Sequence, residues 1–381
     1  IDLSSASGRP TVSWRKGIQG TAARLIAADD KLFVVTLEGR VYVFGGDGSR
    51  LPRVSSVVRW AAGIAERALG YLSYLVRRQE IDRANSILEA VGVREGYGLV
   101  YGLGDGRLAE ALVRRSSLNV IGVDPDSTRV DRLRRRLDSA GLLGERLTLQ
   151  VADPMTFQAP PYLASLILTE APQPGNTDTG RLFIERIYSS LRPYGGVACL
   201  IADGSDADHL VDSIGVRRLP GARVRRAKGL VLVSREGALS GAANWTHQYG
   251  NIANTIKSDD QLVRLPLGVL WFGGSSNTDV LPRHGHGPPE QVIGGRLFIE
   301  GMGCFSARDV YTGRVLWKRD LPNLGTFGVY YDETYKDTPL STAYNQIHIP
   351  GANSRGTNFV ATANGIYIAQ GDHCLVLDPA S

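Results

Sequence analysis

The hydrophobic rhythm of the chain changes twice. In the first fifty residues the apolar positions fall in short β-rich runs. Lys31-Leu-Phe-Val-Val-Thr-Leu37 and Arg40-Val-Tyr-Val-Phe44 flank Glu38-Gly39, which predicts two strands joined by a tight turn. Past Leu51-Pro52 the period lengthens. From about Val57 to Val91 apolar residues recur at helical spacing, through Ile64, Ala68, Leu72 and Leu75, then Ile81, Ala84, Ile87, Leu88 and Val91. Strand-like runs then alternate with helical stretches up to about Arg235, after which Gly, Pro and Asn return with short strands between turns. The predicted fold class is multidomain, β plus α/β, with boundaries at 1–50, 51–236 and 237–381.

The middle segment carries the chemistry. Gly98-Leu-Val-Tyr-Gly102-Leu-Gly104-Asp105-Gly106 reads as an apolar strand entering a glycine-rich turn, followed by a helix from Leu108 to Arg115. Such a turn lets backbone approach a ligand, and the helix N-terminus adds N–H donors and a positive dipole end. Asn119 to Asp124 is a second strand, and its closing acid suits the hydroxyls of a ribose. Leu147 to Asp153 and Ala164 to Glu170 are a third and a fourth strand. A helix over Leu182 to Leu191 leads to Arg192-Pro-Tyr-Gly195-Gly196 and a fifth strand ending at Ile201, and Arg223 to Ser234 supplies the last strands.

These pieces in this order resemble the class I S-adenosylmethionine-dependent methyltransferases, over about residues 57–235. A dinucleotide dehydrogenase would place the third glycine one residue later. The resemblance implies a Rossmann-like domain with S-adenosylmethionine as cofactor. Gly102, Gly104 and Gly106, with Asp105, would line its methionine part, Asp124 would hold the ribose, and Asp153 with Ala152 would flank the adenine. The family's acid two residues before the first loop glycine, which orders the loop around the cofactor's amino group, is Val100 here, and Asp105 is the expected partial replacement. After the fourth strand Thr169-Glu170-Ala-Pro-Gln-Pro174 stands where amino-group methylators carry Asn/Asp-Pro-Pro-Tyr. Methyl transfer needs a base only if the acceptor must lose a proton. Glu170 is the candidate base, beside its reading as a solvated loop acid, and no other catalytic residue is assigned.

The flanking β parts share a repeat. Ala6-Ser7-Gly8-Arg9-Pro10-Thr11-Val12-Ser13-Trp14 returns as Ala307 to Lys318, with Thr312-Gly313 before Trp317, and the chain ends on the opening half of the motif, Leu375 to Ser381. Asn244-Trp245 through Tyr249-Gly250 to Asn254-Thr255 and Ser258 follows the same style. A turn glycine with a tryptophan a few residues on would wedge one sheet against the next. These residues resemble the quinoprotein-like β-propellers, over roughly 1–50 and 237–381. The resemblance implies partial β-propeller blades interrupted by the methyltransferase-like domain. A propeller needs about four to eight blades, so the repeats point to a section of a larger protein or to edges completed by another chain. No vicinal cysteine pair stands in the sequence and too few blades are visible to enclose a quinone, so pyrroloquinoline quinone is not expected.

Composition narrows the alternatives. The net charge of +5 arises in the middle, where residues 51–235 hold 26 Lys and Arg against 20 Asp and Glu. Arg132, Arg134, Arg135 and Arg136 read as a solvated helix face rather than a nucleic-acid surface. Cys199, Cys304 and Cys374 stand far apart, which excludes a disulfide scaffold, a zinc ribbon and a c-type haem site. His284 and His286 in a Gly/Pro-rich loop read as structural, and His247 beside Trp245 as sheet packing; no metal is expected. Neither a membrane span nor a retained signal peptide is expected, since no apolar run nears the ~20 residues a span needs and no basic-then-apolar leader precedes one. The chain begins at Ile1 rather than Met, which leaves room for residues upstream. Two functions stay open: a methyltransferase of unknown acceptor docked by its propeller part, and a non-catalytic propeller scaffold whose insert has lost turnover. A partner protein through the propeller part fits either. The first implies a cytoplasmic location, the second an exported one.

Overall fold

The computed structural model describes residues 16–28, 31–37, 40–45, 78–170, 178–202, 204–215, 219–227, 229–272, 279–280, 289–301, 303–322, 324, 359–370 and 372–381. The chain divides into two compact units, Ile1–Leu69 and Gly70–Ser381. In the first, β1 (Ala22–Ala28), β2 (Lys31–Thr36) and β3 (Val41–Gly45) form an antiparallel meander, the two expected strands plus one before them.

The second unit opens on helix α1 (78–91), the described part of the long helical pattern. The elements that follow are β4 (Glu95–Tyr101), α2 (Arg107–Arg115), β5 (Ser117–Asp124), α3 (Ser127–Ser139), β6 (Leu147–Val151), β7 (Ala164–Thr169), α4 (Asp178–Ser190), β8 (Gly196–Ile201), α5 (Gly204–Gly215), β9 (Ala222–Ala227) and β10 (Leu230–Arg235). They build one seven-stranded sheet of order β6-β5-β4-β7-β8-β10-β9. Strands β4 to β8 are parallel, while β10 runs antiparallel to both β8 and β9. The inner strands β4, β7, β8 and β10 read as largely apolar runs because both faces are covered, whereas the edge strands β6 and β9 alternate with exposed residues. On β4, Val100 enters one core with Leu108, Leu112 and Val120, while Leu99 and Tyr101 enter the other with Phe183, Ile184 and Ile187. The chain leaves β4 toward β5 and β6, then returns on its other side with β7. That reversal opens a crevice over the carboxyl ends of β4, β5 and β7. This is a mostly parallel, Rossmann-like sheet with an antiparallel pair at one edge.

Beyond it, β11 (Gln291–Ile293), β12 (Arg296–Gly301), β13 (Cys304–Asp309) and β14 (Val315–Asp320) form one antiparallel sheet. A second consists of β15 (Phe359–Ala361), β16 (Ile366–Gln370) and β17 (His373–Leu377). Phe298, Phe305, Trp317, Phe359, Ile366 and Ile368 share one apolar core between them. Phe305 meets Phe359 edge-on at 4.7 Å, and Trp317 Nε1 donates to the Pro379 carbonyl at 3.1 Å. Buried Gln291 ties the sheets together: its amide donates to Phe359 O (3.0 Å) and its Oε1 accepts from Ala361 N (2.8 Å). The wedge role expected of the repeat tryptophan thus holds at Trp317. Among the described residues the flanking β parts form no closed propeller; they form these two sheets and the β1–β3 meander. The Ala6–Trp14 copy and the His284/His286 loop lie outside the described residues. His247 is exposed at a turn, with Nδ1 2.8 Å from Thr246 Oγ1.

The turn between β13 and β14 closes on the α/β sheet at the amino ends of its strands. Asp309 is 2% exposed and Arg192, just before β8, 15% exposed, with Arg192 Nε donating to Asp309 Oδ2 at 2.6 Å. Tyr311 packs edge-on against Tyr162, just before β7, at 5.6 Å. Arg314 reaches Glu95 at the start of β4 at 3.2 Å.

Candidate functional site

A cavity of about 960 Å³ lies over the crevice, at the large end of the roughly 300–1,000 Å³ usual for small-molecule sites. Its walls include Gly102, Gly104 and Asp105 from the loop after β4, Asp124 from β5, Asp153 from the end of β6 and Glu170 from the end of β7. Six residues singled out from sequence therefore converge on one space. Gly106 and Ala152 are absent from those walls. Gly106 instead lets α2 close on α3: its φ is +74°, and a Cβ there would stand 2.8 Å from Leu133 Cδ2. Ala152 packs at the margin of the second core, with its N–H on Asp124 O. Gly104, also at positive φ (+50°), faces the cavity; a Cβ there would meet only Glu170 Oε2, at 3.7 Å.

Asp124 is 1% exposed and fully engaged. Its Oδ2 accepts from Leu103 N (2.8 Å) and its Oδ1 from Asp126 N (3.0 Å), while Arg129 Nη1 lies 2.9 Å from each oxygen. One carboxylate thus pins the glycine loop, the start of α3 and an arginine. Asp126, the N-cap of α3, accepts from Arg129 N, which with the Arg129 charge holds its carboxyl below the usual range. Asp153 Oδ1 accepts from Met155 N (2.9 Å) and stays exposed at the rim.

At the loop end of the cavity, Glu170 comes forward from β7, its backbone N–H on Tyr101 O. Arg83 of α1 donates to Glu170 Oε1 at 2.9 Å and lies 3.6 Å from Glu80 one turn earlier. Burial pushes the Glu170 carboxyl above its usual range; Arg83 opposes that rise, while Glu80 and Asp105 add to it. Asp105 itself turns outward, capping Arg107 N (3.0 Å) and facing the Arg107 guanidinium at 3.4 Å. The side chain expected to replace the missing acid at Val100 therefore points to its own helix. Val100 is 1% exposed, inside the core.

Sequence reasoning missed the arginines. Arg132 and Arg136 are exposed, as expected of a solvated face, but with Arg129 one turn earlier on α3 they also line the cavity. Arg136 Nη1 also donates to Asp105 O (2.8 Å), bracing the glycine loop, while Arg134 caps Leu149 O. Their spacing of three and four was visible, but nothing local distinguishes a cavity wall from solvent. Arg83 and Phe183 gave no signal either, since each reaches the site from another layer.

Other reactive groups are quenched. Burial raises the Tyr101 hydroxyl and the Cys199 thiol each to about 12, so neither supplies an anion near neutral pH. Among the described residues no group of three His, Cys, Asp or Glu side chains is placed to hold a metal, and no helix is long and apolar enough to cross a membrane.

No family model matches the chain, and no curated protein does. Solved structures similar to it include an S-adenosylmethionine-dependent O-methyltransferase from Thermotoga maritima, 12% identical, covering 57% of this chain and 86% of that one with a TM-score of 0.34. Another is an S-adenosylmethionine-dependent methyltransferase from Aquifex aeolicus, 15% identical, covering 41% of this chain and 90% of that one with a TM-score of 0.34. Likeness at this level adds no weight to the sheet order and the cavity, which carry the functional reading.

Proposed function

We propose that the cavity binds S-adenosylmethionine and that the chain is a methyltransferase. The observation that carries this is convergence: the glycine loop, Asp124, Asp153 and Glu170, spread over 69 positions, meet in one cavity at the switch point of a Rossmann-like sheet. The residues fit the cofactor. Gly104 leaves the loop side open at its Cβ position, and Asp124 at the end of β5 and Asp153 at the rim both line the cavity, where they would take the ribose and the adenine. Bound there, the cofactor would supply an electrophilic methyl group.

The protein's share is then positioning. Gly102 and Gly104 leave room for the ligand, Phe183 and Met155 give apolar walls that exclude water, and Arg132 and Arg136 add cations to the same lining. Glu170 turns Oε2 toward the open side of Gly104, where it would face the ligand rather than act as a base on the acceptor.

A second reading, a binding protein without turnover, draws on Val100 in the core and on Arg129 already seated on Asp124. Calorimetric titration with S-adenosylmethionine and S-adenosylhomocysteine separates the two. Micromolar binding that is lost in Asp124→Asn, with the thermal midpoint of that variant as folding control, supports the methyltransferase. No heat at millimolar ligand leaves the binding-protein reading.

A further inference from the structure

Where β7 ends at the cavity, two carboxylates face one arginine. Glu80 and Glu170 share a single guanidinium, Arg83, at 3.6 and 2.9 Å. The nearby Asp105 is matched by Arg107, and Asp124 by Arg129. Arg83 takes only Oε1 of Glu170; Oε2 turns toward the open side of Gly104. A partly desolvated carboxylate short of a full counter-charge gains more from a cation than an exposed one does.

Building on the cofactor reading above, we propose that Glu170 is the anchor for the ligand's ammonium group, with Glu80 and Arg83 behind it setting its charge. The work that Val100 cannot do at the end of β4 is thereby moved to the end of β7, across the strand pair. The ligand class at this end is an α-amino acid moiety: the ammonium faces Glu170 Oε2, and the glycine loop supplies room beside it. Glu170 accepts hydrogen bonds from that ammonium and takes no proton in any bond-making step.

The test compares two ligands that share a nucleoside. S-Adenosylhomocysteine carries the amino-acid end; 5′-methylthioadenosine lacks it. Titration of Glu170→Gln is expected to weaken S-adenosylhomocysteine by roughly tenfold or more, the worth of one charge-assisted hydrogen bond, with 5′-methylthioadenosine unchanged. Arg83→Gln, which strips the counter-cation, is expected to tighten S-adenosylhomocysteine and leave 5′-methylthioadenosine unchanged. If Glu170→Gln folds poorly, the Arg83→Gln result decides alone. Unchanged S-adenosylhomocysteine affinity in both variants, or an equal loss for both ligands, overturns the assignment while leaving the cofactor reading intact. Failure of the wild-type chain to bind either ligand removes that reading and this one with it.

Discussion

The two ends of the parallel strands are finished in opposite ways. At the carboxyl ends, the loops after β4 and β7 carry glycines and carboxylates and leave a cavity of about 960 Å³. At the amino ends, the β13–β14 turn presses Asp309, Tyr311 and Arg314 onto Arg192, Tyr162 and Glu95. Both ends use Arg–carboxylate pairs, but to different effect. Asp124 and Glu170 hold arginines that remain partly exposed, at 40% and 38%, and so remain exchangeable. Arg192 and Asp309 are enclosed, and neither can leave without exposing a charge to the interior. One end is built to admit a ligand, the other to be closed.

The largest effect should come from breaking the closed end. Asp309→Ala leaves Arg192 buried without its partner and also removes the acceptor for Tyr311 N, so a loss of about 3–5 kcal/mol is expected in urea unfolding. Binding of S-adenosylhomocysteine by the folded fraction should not change. A loss under about 1 kcal/mol would show the two ends to be equally soft.

The glycines sharpen the contrast within the open end. Gly106→Ala combines positive φ with a contact of 2.8 Å to Leu133 and should cost about 2–4 kcal/mol of stability. Gly104→Ala meets only Glu170 Oε2 at 3.7 Å, so its strain of about 1–2 kcal/mol is all the fold loses. Its methyl group enters the cavity, and a roughly tenfold loss of S-adenosylhomocysteine affinity is expected. Melting curves and titrations on the two variants test the assignment; equal binding losses would refute it.

The smallest effect concerns Arg129. Because it sits on both oxygens of Asp124, a ribose hydroxyl has to take its place. Arg129→Ala should therefore tighten S-adenosylhomocysteine by roughly three- to tenfold, read by calorimetry. Weaker binding would mean that the guanidinium itself holds the ligand.

What the sequence disclosed was local. The strand into Gly102-Leu-Gly104, the acid closing β5 and the Arg192-Pro-Tyr-Gly-Gly turn are contiguous signals, and each stands where periodicity and turn chemistry put it. The partners of those residues were not legible. Arg83 and Glu170 are 87 positions apart, and Arg192 and Asp309 are 117 apart. The Thr312-Gly313 turn read as packing between blades because its tryptophan, Trp317, does face a second sheet; its acid, Asp309, serves the α/β sheet instead. Arg129 and Gly106 share this ambiguity. A pocket cation and a surface cation look alike in one dimension, as do a glycine for a ligand and a glycine for a neighbouring helix.

The Arg192–Asp309 pair also bears on modularity. By sequence pattern the α/β segment is a guest that could be cut from its host at two points. The sheet that follows it, however, supplies the counter-charge for Arg192 in the floor of the α/β segment, and an aromatic partner for Tyr162 beside it. Excised alone, the guest would carry an orphan cation and a bare tyrosine where a wall had been. The α/β segment depends on its neighbour, and the smallest piece of this protein that can be expected to stand by itself includes the sheet that follows it.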